Sequence, residues 1–349
     1  MGVLHLWHSS GWRGGENQFR LLASHLSSPW SGRLGAPGGS ELARRLASTM
    51  PVDAVRCGGL LDAASLVKVR DLVRKHGITL IHAHDSGAHT TAALARLVTG
   101  VPVVMSRRNA FPSSGGWKYR STDFFITVSN AGAARLGEAG VKADKVAVIP
   151  DAVDFAALAR AAPERAGVEP ETRIVLCVAA FTREKDHATL LRAWKAVEAS
   201  PPKAHLLLAG SGPLEADLRK LAAELSLRRI GFLGWRDDVA ALIKGSDIVT
   251  LTSREEGLGS VLCEAQAAGK PVVTTDAGGI PEAVGHGHGG LISGVGEVDA
   301  LAANLTTLIA DPQHRAVLGA AGARRAGDLF APDRIARRHE DVYRSVLGL

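Results

Sequence analysis

Two glutamates stand on either side of a glycine turn in the segment SREEGLGSVLCE, residues 253–264. Glu256 precedes the turn, and Glu264 lies about five residues into an apolar stretch typical of a helix, roughly 7–8 Å along the helix axis. Gly257 and Gly259 allow a ligand to approach the backbone closely, and the amide groups that begin a helix attract anions. This spacing is about that of a diphosphate, which carboxylates would repel. We therefore expect each glutamate to accept hydrogen bonds from hydroxyl groups beside such an anion, or, more simply, Glu256 to be exposed and Glu264 paired with a lysine.

A second candidate segment supplies positive charge. In VAAFTREKDHATLLRAW, residues 178–194, Arg183 and Lys185 lie between an apolar strand-like run and a helix-like pattern. Cations at such a position stabilise the negative charge that grows on a departing diphosphate. The alternative is that both side chains are solvated charges of an ordinary loop.

Two adjacent glycines follow the first strand-like run, in SSGWRGGENQ, residues 9–18. Gly14 and Gly15 permit a tight turn at the start of a helix, whose amide groups would contact phosphates. A glycine pair before a helix is common in proteins of many functions. The functional interpretation therefore depends on the position of this pair directly after the first strand.

Basic side chains end two further strand-like runs, in the segments IHAHDSGAHTT and MSRRNAFP. Arg107 and Arg108 would suit an acceptor that bears a phosphate or a carboxylate, although surface salt bridges are the alternative. His82 and His84 have the spacing of two ligands on one strand face, but no third metal ligand is evident. We therefore expect structural histidines or, for His84, a contact with the acceptor, and no metal site.

Short apolar runs alternate with helix-like patterns along the chain, which predicts an α/β fold of βαβ units around parallel sheets. In the first half the predicted strands are 3–8, 78–84, 101–106, 123–129 and 145–150. In the second half they are 173–180, 204–210, 230–234, 247–253 and 270–276, with helices that include 189–198, 214–225 and 261–268. Ligands of open α/β sheets bind beyond the carboxyl ends of the strands, where the candidate loops lie.

A polar, proline-bearing stretch, residues 160–173, separates the two series of strands. We predict two Rossmann-like domains that face each other across a cleft, residues 1–160 and residues 161–331. In the tail, 332–349, one helix face is formed by five residues: Ile335, His339, Val342, Tyr343 and Val346. We expect this helix to bury that face on the first domain.

The composition is that of a globular enzyme. The chain has 349 residues, of which 46% are hydrophobic and 22% charged, with a formal net charge of +6. These values exclude wholesale disorder and allow two domains.

Three cysteines without a CxxC pair predict buried, reduced thiols in a cytoplasmic protein, and neither a signal peptide nor a membrane span is recognisable. The basic balance favours anionic substrates or an acidic membrane surface, with a merely solvated basic surface as the alternative.

The run SREEGLGSVLCEAQAAGKPVVTTDAGGIPEAV, residues 253–284, resembles the signature of glycosyltransferase family four. Members of this family are nucleotide-sugar-dependent, retaining glycosyltransferases of the GT-B fold. The resemblance extends through HLLLAGSGPLEADLRKLAAELSLRRIGFLGW and, more loosely, through the N-terminal GWRGGENQFRLLASHL. It therefore covers nearly the whole chain.

This resemblance implies roles for individual residues. Glu256 would contact hydroxyls of the donor sugar and Glu264 those of the ribose. The diphosphate would meet the backbone around Gly257, Leu258, Gly259 and Ser260. Lys185 stands where the family has its phosphate-binding lysine. Trp235, with Arg236, stands where family members place the nucleotide base.

The chain departs from the family pattern at two places. Family members commonly carry an arginine directly after the strand that precedes the lysine, where this chain has Ala180. Arg183 is the candidate replacement for that charge. Many relatives also have a histidine near the reacting centre, at a strand end where this chain has Arg107 and Arg108. A catalytic histidine is therefore not transferred to this sequence.

A further hypothesis concerns an aromatic and basic segment that contains Phe111, Trp117, Lys118 and Tyr119. Such a set of side chains would suit an edge that contacts the acceptor or an anionic membrane. The acceptor would then be anionic or lipid-linked, and the protein peripheral at the inner face of the membrane.

The resemblance implies a retaining glycosyltransferase that moves a sugar from a nucleotide diphosphate sugar to an acceptor hydroxyl in glycan, glycolipid or polysaccharide biosynthesis. A UDP-sugar is favoured as donor, with GDP-mannose second. No cofactor and no nucleic-acid partner are expected, and the absence of an Asp-x-Asp motif predicts metal independence. A nucleotide-sugar 2-epimerase and, because of Ala180, a non-catalytic nucleotide-sugar-binding subunit are the alternatives. An NAD oxidoreductase is disfavoured, since no GxGxxG follows the first strand.

Overall fold

The computed structural model describes residues 2–108, 116–201 and 203–349. The chain divides into two compact units, Met1–Ala152 with Pro332–Leu349, and Val153–Ala331. The first division falls between Ala152 and Val153, ahead of the predicted boundary after residue 160. The backbone of Ala152 exchanges hydrogen bonds of 2.9 and 3.0 Å with the side chain of Gln18, whereas the Val153 amide donates to the carbonyl of Phe330. Adjacent residues are thus held by different units.

The first unit contains, in the described part of the chain, a parallel sheet of seven strands in the order β3-β2-β1-β4-β5-β6-β7. The strands are β1 (Val3–Leu6), β2 (Arg33–Ala36), β3 (Val52–Ala54), β4 (Leu80–Ala83), β5 (Val103–Arg107), β6 (Phe124–Thr127) and β7 (Val146–Val148). The five predicted strands are confirmed, each shorter than expected. The sequence pattern misses β2 and β3, because these short strands contain glycine or aspartate and form no apolar run. The helices are α1 (Gly14–Ala23), α2 (Glu41–Leu46), α3 (Ala63–His76), α4 (Ser86–Thr99), α5 (Trp117–Arg120) and α6 (Asn130–Glu138).

The second unit contains, among its described residues, a parallel sheet of six strands in the order β10-β9-β8-β11-β12-β13. The strands are β8 (Arg173–Val178), β9 (Ala204–Ala209), β10 (Ile230–Gly234), β11 (Ile248–Leu251), β12 (Val272–Thr275) and β13 (Gly290–Ser293). The helices are α7 (Phe155–Arg160), α8 (His187–Glu198), α9 (Glu215–Glu224), α10 (Val239–Gly245), α11 (Ser260–Ala267), α12 (Ile280–Val284), α13 (Val298–Ala310) and α14 (Pro312–Leu329). The predicted strands and the three predicted helices are confirmed, and β13 is the strand that the pattern misses.

Aspartates cap the first turns of two helices, α4 and α8. The side chain of Asp85 accepts a hydrogen bond from the Ala88 amide at the start of α4, and that of Asp186 accepts one from the Thr189 amide at the start of α8. Such N-caps satisfy amide groups that lack partners within the helix. Each aspartate also fixes the end of the loop that leads from a strand into its helix.

The chain ends in α15 (Pro332–Leu347), which belongs to the first unit. Its predicted apolar face is confirmed, because Ile335, Val342 and Tyr343 are buried in the same core as Phe19 and Trp30. The terminal helix therefore completes the core of the N-terminal unit, and the expectation that its apolar face packs there is confirmed.

The three cysteines, Cys57, Cys177 and Cys263, are buried and form no disulfide. Burial raises the pKa of the Cys57 and Cys177 thiols to about 12, so both stay protonated and unreactive at neutral pH. Across the described ranges, no helix combines the length and the apolar character needed to cross a membrane.

Candidate functional site

Lys185 and Glu256 meet at the carboxyl edge of the second sheet. The strands β8 and β11 are neighbours and parallel, so the loops that follow them lie side by side. The Lys185 ammonium donates to Oε2 of Glu256, and the two side chains are 22% and 14% exposed. Ser253 Oγ donates to the same oxygen over 3.1 Å, and the Gly257 amide lies 3.2 Å from Oε1. Both carboxylate oxygens are thus held, at a place that a ligand from solvent can still reach.

Further contacts join the two loops. The Arg254 amide donates to the carbonyl of Glu184 over 2.8 Å, and Nε of Arg254 lies 2.8 Å from Oδ2 of Asp186. Thr252 Oγ1 donates to the carbonyl of Asp186 over 3.1 Å. These contacts position Lys185 relative to Glu256 before any ligand arrives. No pattern in the sequence marks Arg254 or Thr252 as residues that join the two loops. Asp186, in contrast, carries the recognisable signal of an aspartate before a helix.

The glycine turn leads into α11 as the sequence predicts. Gly259 precedes the helix with a φ of 81°, a conformation that favours glycine, and has no side chain with which to cap the first turn. Leu258 is buried, and α11 begins at Ser260, so the amide end of this helix follows Glu256 by four residues in the chain. Glu264 follows within α11 and is half-buried. The positive end of the helix dipole and the lysine therefore favour an anion at the same sheet edge.

Gly278 packs closely against the backbone of the loop that carries Glu256. Its φ is 52°, and a Cβ atom at this position would lie 2.0 Å from the carbonyl oxygen of Glu256. The same carbonyl accepts a hydrogen bond of 3.2 Å from the amide of Gly279. The glycine pair in TDAGGIPE thus determines where the backbone of Glu256 can lie.

The remaining predicted donor residues of this unit are more exposed. Arg183 lies on the surface of the short turn that ends at Lys185. Trp235 is 56% exposed after β10, and its indole nitrogen donates to Asp237 over 3.3 Å. Arg236 pairs with Asp238 over 2.7 Å, so its charge is largely compensated by that neighbour. An exposed tryptophan at this edge is available to a planar ligand, whereas Arg236 is committed to a local ion pair.

In the first unit, α1 begins at Gly14, as predicted. A Cβ atom at Gly14 would have no neighbour within 4 Å, and one at Gly15 would contact Trp7 at an ordinary 3.6 Å. The fold of this unit therefore does not require glycine at either position. Glu16 is buried, and its carboxylate accepts hydrogen bonds from the Arg13 amide and the Trp7 indole. Its role is to hold the start of α1.

Two family models match the chain. One, described as Glycosyltransferase Family 4, matches residues 13–157, and the other, described as Glycosyl transferases group 1, matches residues 160–325. The lipopolysaccharide core biosynthesis glycosyltransferase LpsD of Rhizobium meliloti is 30% identical over 244 residues, which is 68% of each chain. The chain belongs to the group 1 glycosyltransferases.

Two other proteins are similar to this glycosyltransferase. A GDP-mannose-dependent monoacylated α-(1-6)-phosphatidylinositol monomannoside mannosyltransferase of Corynebacterium glutamicum is 35% identical over 190 residues, 50% of this chain and 49% of the relative. The chain thus matches about half the length of that relative. The crystal structure of Anabaena HepE in complex with UDP-glucose has a TM-score of 0.84 over 99% of this chain and 100% of HepE. At 23% identity, this likeness shows the fold alone, which is GT-B.

The structure adds a third histidine to the pair that the sequence singles out. His5 lies opposite His82 in the β1–β4 pairing, and nitrogens of His5, His82 and His84 lie within 4.8 Å of one another, so a third potential ligand is present. However, His82 hydrogen-bonds with Tyr343 and Ser106, and Nδ1 of His5 lies 3.1 Å from Nε2 of His84. All three rings are buried. These contacts favour the structural alternative, and the burial of His84 argues against direct contact with an acceptor.

The arginine pair predicted on the acceptor side is also differently arranged. Arg107 is buried, and its guanidinium donates to the Tyr119 hydroxyl over 2.9 Å. Arg108 forms an ion pair with Asp151 at 3.3 Å and lines a cavity of about 10 Å³ together with His339. Arg107 is therefore not exposed as the sequence suggests, and each arginine has a partner within the unit, so a contact of this pair with an acceptor stays a prediction.

The aromatic and basic segment is only partly described. Phe111 lies outside the described residues. Trp117, Lys118 and Tyr119 lie in α5 and are half-buried, and the Lys118 ammonium donates to Ser86 Oγ over 3.0 Å. Burial lowers the pKa of Lys118. These contacts tie the segment to α4, and its contact with an acceptor or membrane stays a prediction.

Proposed function

We propose that this glycosyltransferase transfers a sugar, with retention of configuration, from a nucleotide diphosphate sugar to an acceptor hydroxyl in the synthesis of a glycan, glycolipid or polysaccharide. The observation that carries the proposal is the pairing of Lys185 with Glu256 beside the amide end of α11. Within one unit, a cation and the positive end of a helix dipole would bind a diphosphate. The carboxylate beside them would accept hydrogen bonds from sugar hydroxyls. Relatives of the family support the class of reaction.

In the proposed reaction, the diphosphate of the donor takes Lys185 as its counter-ion and lies against the start of α11. The bond from the anomeric carbon to the diphosphate oxygen breaks, and the acceptor oxygen bonds to that carbon on the same face. The proton of the acceptor hydroxyl passes to the departing phosphate oxygen. Lys185 and the helix dipole stabilise the negative charge that develops there. Glu256, released from the lysine, accepts hydrogen bonds from sugar hydroxyls, and Glu264 from the ribose.

Because these groups supply positive charge where many enzymes use a divalent ion, we propose that turnover needs no metal. Sugar transfer is expected to continue at an unchanged rate after treatment with EDTA. Loss of transfer that manganese or magnesium restores would contradict this part of the proposal.

The donor nucleotide is proposed to be UDP, with GDP second. A GDP-mannose-dependent relative and a UDP-glucose complex of a structural neighbour motivate the comparison. Thermal unfolding should be followed with UDP-, GDP-, ADP- and TDP-sugars for the wild type, Glu256→Gln and Glu264→Gln. The neighbouring Glu255→Gln is the matched control, because Glu255 is exposed and takes no part in the proposed site.

One nucleotide class is expected to raise the unfolding temperature of the wild type and of the control. The shift should be smaller in both site variants, since each loses a charge-assisted hydrogen bond to a hydroxyl. Equal shifts in all four proteins would remove Glu256 and Glu264 from the site. Product formed from the donor without any acceptor would instead favour the 2-epimerase, and binding without turnover would favour the non-catalytic subunit.

A further inference from the structure

A cavity of about 670 Å³ opens in the first unit where the loops after β1, β2 and β3 meet. Its lining includes His8, Ser9 and Arg13 from the first loop, and Arg56 and Gly58 from the third. The volume falls in the range of roughly 300–1,000 Å³ that is usual for small-molecule sites, and the carboxyl edge of a parallel sheet is where such sites occur.

The cavity is positively charged. Arg13 and Arg56 are exposed, and within the described residues neither guanidinium takes part in an ion pair. A guanidinium group keeps its positive charge at any pH at which the protein is folded. Both charges are therefore available to a ligand that enters from solvent.

The nearby carboxylates are occupied by backbone amides. Asp85 accepts hydrogen bonds from the amides of His8 and Ser9, and Asp62 accepts one of 2.8 Å from the amide of Gly58. Hydrogen bonds from Ser65 are the main cause of the lowered pKa of Asp62, and the charge of Arg56 contributes to it. Both carboxylates keep their negative charge, but these donors hold their oxygens, and the cavity lining in the described structure includes the two guanidinium-bearing side chains and neither aspartate.

The walls of the cavity are held in place by contacts between the loops and with α4. Nδ1 of His8 lies 3.1 Å from the carbonyl oxygen of Arg56, and a carbonyl can only accept, so the proton of this ring is on Nδ1. Nε2 of His8 is then the nitrogen left for other contacts. Gly87 in α4 packs against the ring, since a Cβ atom there would lie 2.4 Å from Cγ of His8. The loops after β1 and β3 are thus fixed to each other beside the two arginines.

We propose that this cavity binds an oxyanion, a phosphate or carboxylate group carried by the acceptor, and that Arg13 and Arg56 are its charge partners. The inference rests on the proposed transfer reaction, for which it names the acceptor class. Guanidinium groups form paired, charge-assisted hydrogen bonds with both kinds of oxyanion. The proposal assigns the anion contact to two exposed arginines, whereas Arg107 and Arg108 have hydrogen-bond partners within the first unit.

The loop after β3 also carries two exposed apolar residues. Leu60 is 63% exposed and Leu61 is 98% exposed, and both follow Gly58 closely in the chain. Exposed apolar side chains on the loop that carries Arg56 and Gly58 would suit an acceptor whose anionic group adjoins an apolar part, such as a lipid headgroup. A soluble phosphate ester offers the same anion without the apolar part, so the experiment must separate these two sources.

The test measures thermal unfolding against inorganic phosphate, at constant ionic strength set with chloride, for the wild type, Arg56→Gln and Arg74→Gln. Arg74 is an exposed arginine of α3 outside the cavity and serves as the matched control. The phosphate concentration for the half-maximal shift is expected to rise about tenfold in Arg56→Gln and to stay unchanged in the control, as for the loss of one charge-assisted hydrogen bond. Equal responses of all three proteins would overturn the proposal.

Two further arms identify the source of the anion. Glycerol 3-phosphate tests a soluble ester, and co-sedimentation with phosphatidylcholine vesicles, with and without phosphatidylglycerol, tests a headgroup. Either response supports the proposal if Arg56→Gln loses it and Arg74→Gln keeps it. UDP- and GDP-sugars are measured on the same proteins. If no nucleotide stabilises the wild type, the proposed transfer fails, whereas the difference in phosphate response between Arg56→Gln and Arg74→Gln still reports on the cavity.

Discussion

The ion pair between Lys185 and Glu256 joins two groups that the proposed reaction uses separately. The lysine neutralises the carboxylate, and Ser253 and the Gly257 amide hold the same carboxylate in place. An incoming diphosphate would compete with Glu256 for the lysine and leave the carboxylate to the sugar hydroxyls. Neither charge then has to be buried without a partner, before or after the donor binds.

Replacement of Lys185 by glutamine is expected to lower kcat/KM about 10²–10³-fold, because a preorganised charge at the leaving group is lost. Steady-state transfer kinetics with a saturating acceptor measure this effect. Lys195→Gln is the control, since Lys195 is an exposed residue of α8 in the same unit. A variant at Lys185 that keeps the wild-type kcat/KM would show that the lysine does not act on the leaving diphosphate.

At the scale of elements, the site depends on the neighbouring positions of β8 and β11. The strands are far apart in sequence, yet their pairing places the Lys185 loop against the Glu256 loop. Gly278, after β12, then supports the Glu256 loop from the next strand. The loops after β8, β11 and β12 therefore contact one another in turn at the carboxyl edge of the sheet.

Gly278→Ala is expected to destabilise the second unit by about 1–3 kcal/mol, because it adds both left-handed backbone strain and a collision with the Glu256 carbonyl. Gly287→Ala is the matched control. Its φ is also positive, at 75°, but a Cβ atom added there would have no neighbour within 4 Å, so only the strain remains. Urea unfolding and donor binding should both be affected more strongly in Gly278→Ala. Equal losses in the two variants would mean that the contact with Glu256 is unimportant.

At the scale of the whole molecule, the terminal helix is coupled to the first sheet through buried histidines. Tyr343 and His339 of α15 lie beside His82 and His5 of β4 and β1. Burial lowers the pKa of His5 to about 4 and that of His339 to about 3. Burial, together with neighbouring histidines, also lowers the pKa of His82 well below its ordinary value. The cluster is therefore neutral at neutral pH, and it must be protonated against the cost of burial when the pH falls.

We expect the free energy of unfolding to fall as the pH drops from about 6.5 to about 4. In this window the unfolded histidines bind protons that the folded cluster does not, so the contribution is fully present above a pH of about 6.5. Each such histidine contributes a slope of about 1.4 kcal/mol per pH unit. Urea unfolding at a pH of about 7.5, about 6 and about 5 should show the loss.

The matched variants separate the cluster from other groups that titrate in the same range. His339→Gln should flatten the dependence of the unfolding free energy on pH, because one buried histidine is removed from the cluster. His288→Gln, at an exposed position of the second unit, should leave that dependence unchanged. A slope unaffected by His339→Gln would show that the cluster does not cause the loss of stability.

The sequence by itself determined the alternation of strands and helices and the apolar face of the terminal helix, and its resemblance to a known family singled out Lys185 and Glu256 as candidates. Apolar periodicity and helix-start signals involve residues that are close together in the chain, so they can be recognised from the sequence alone. Short strands such as β2 and β13 leave too weak a local signal to be predicted.

Only the tertiary structure decided which distant residues meet. It paired Lys185 with Glu256, brought His5 to His82, engaged Arg108 with Asp151, and opened the cavity beside Arg13 and Arg56. These outcomes depend on the order and register of strands that are not consecutive in the chain. Strand order is a property of the packed sheet, and no local spacing of residue types records it.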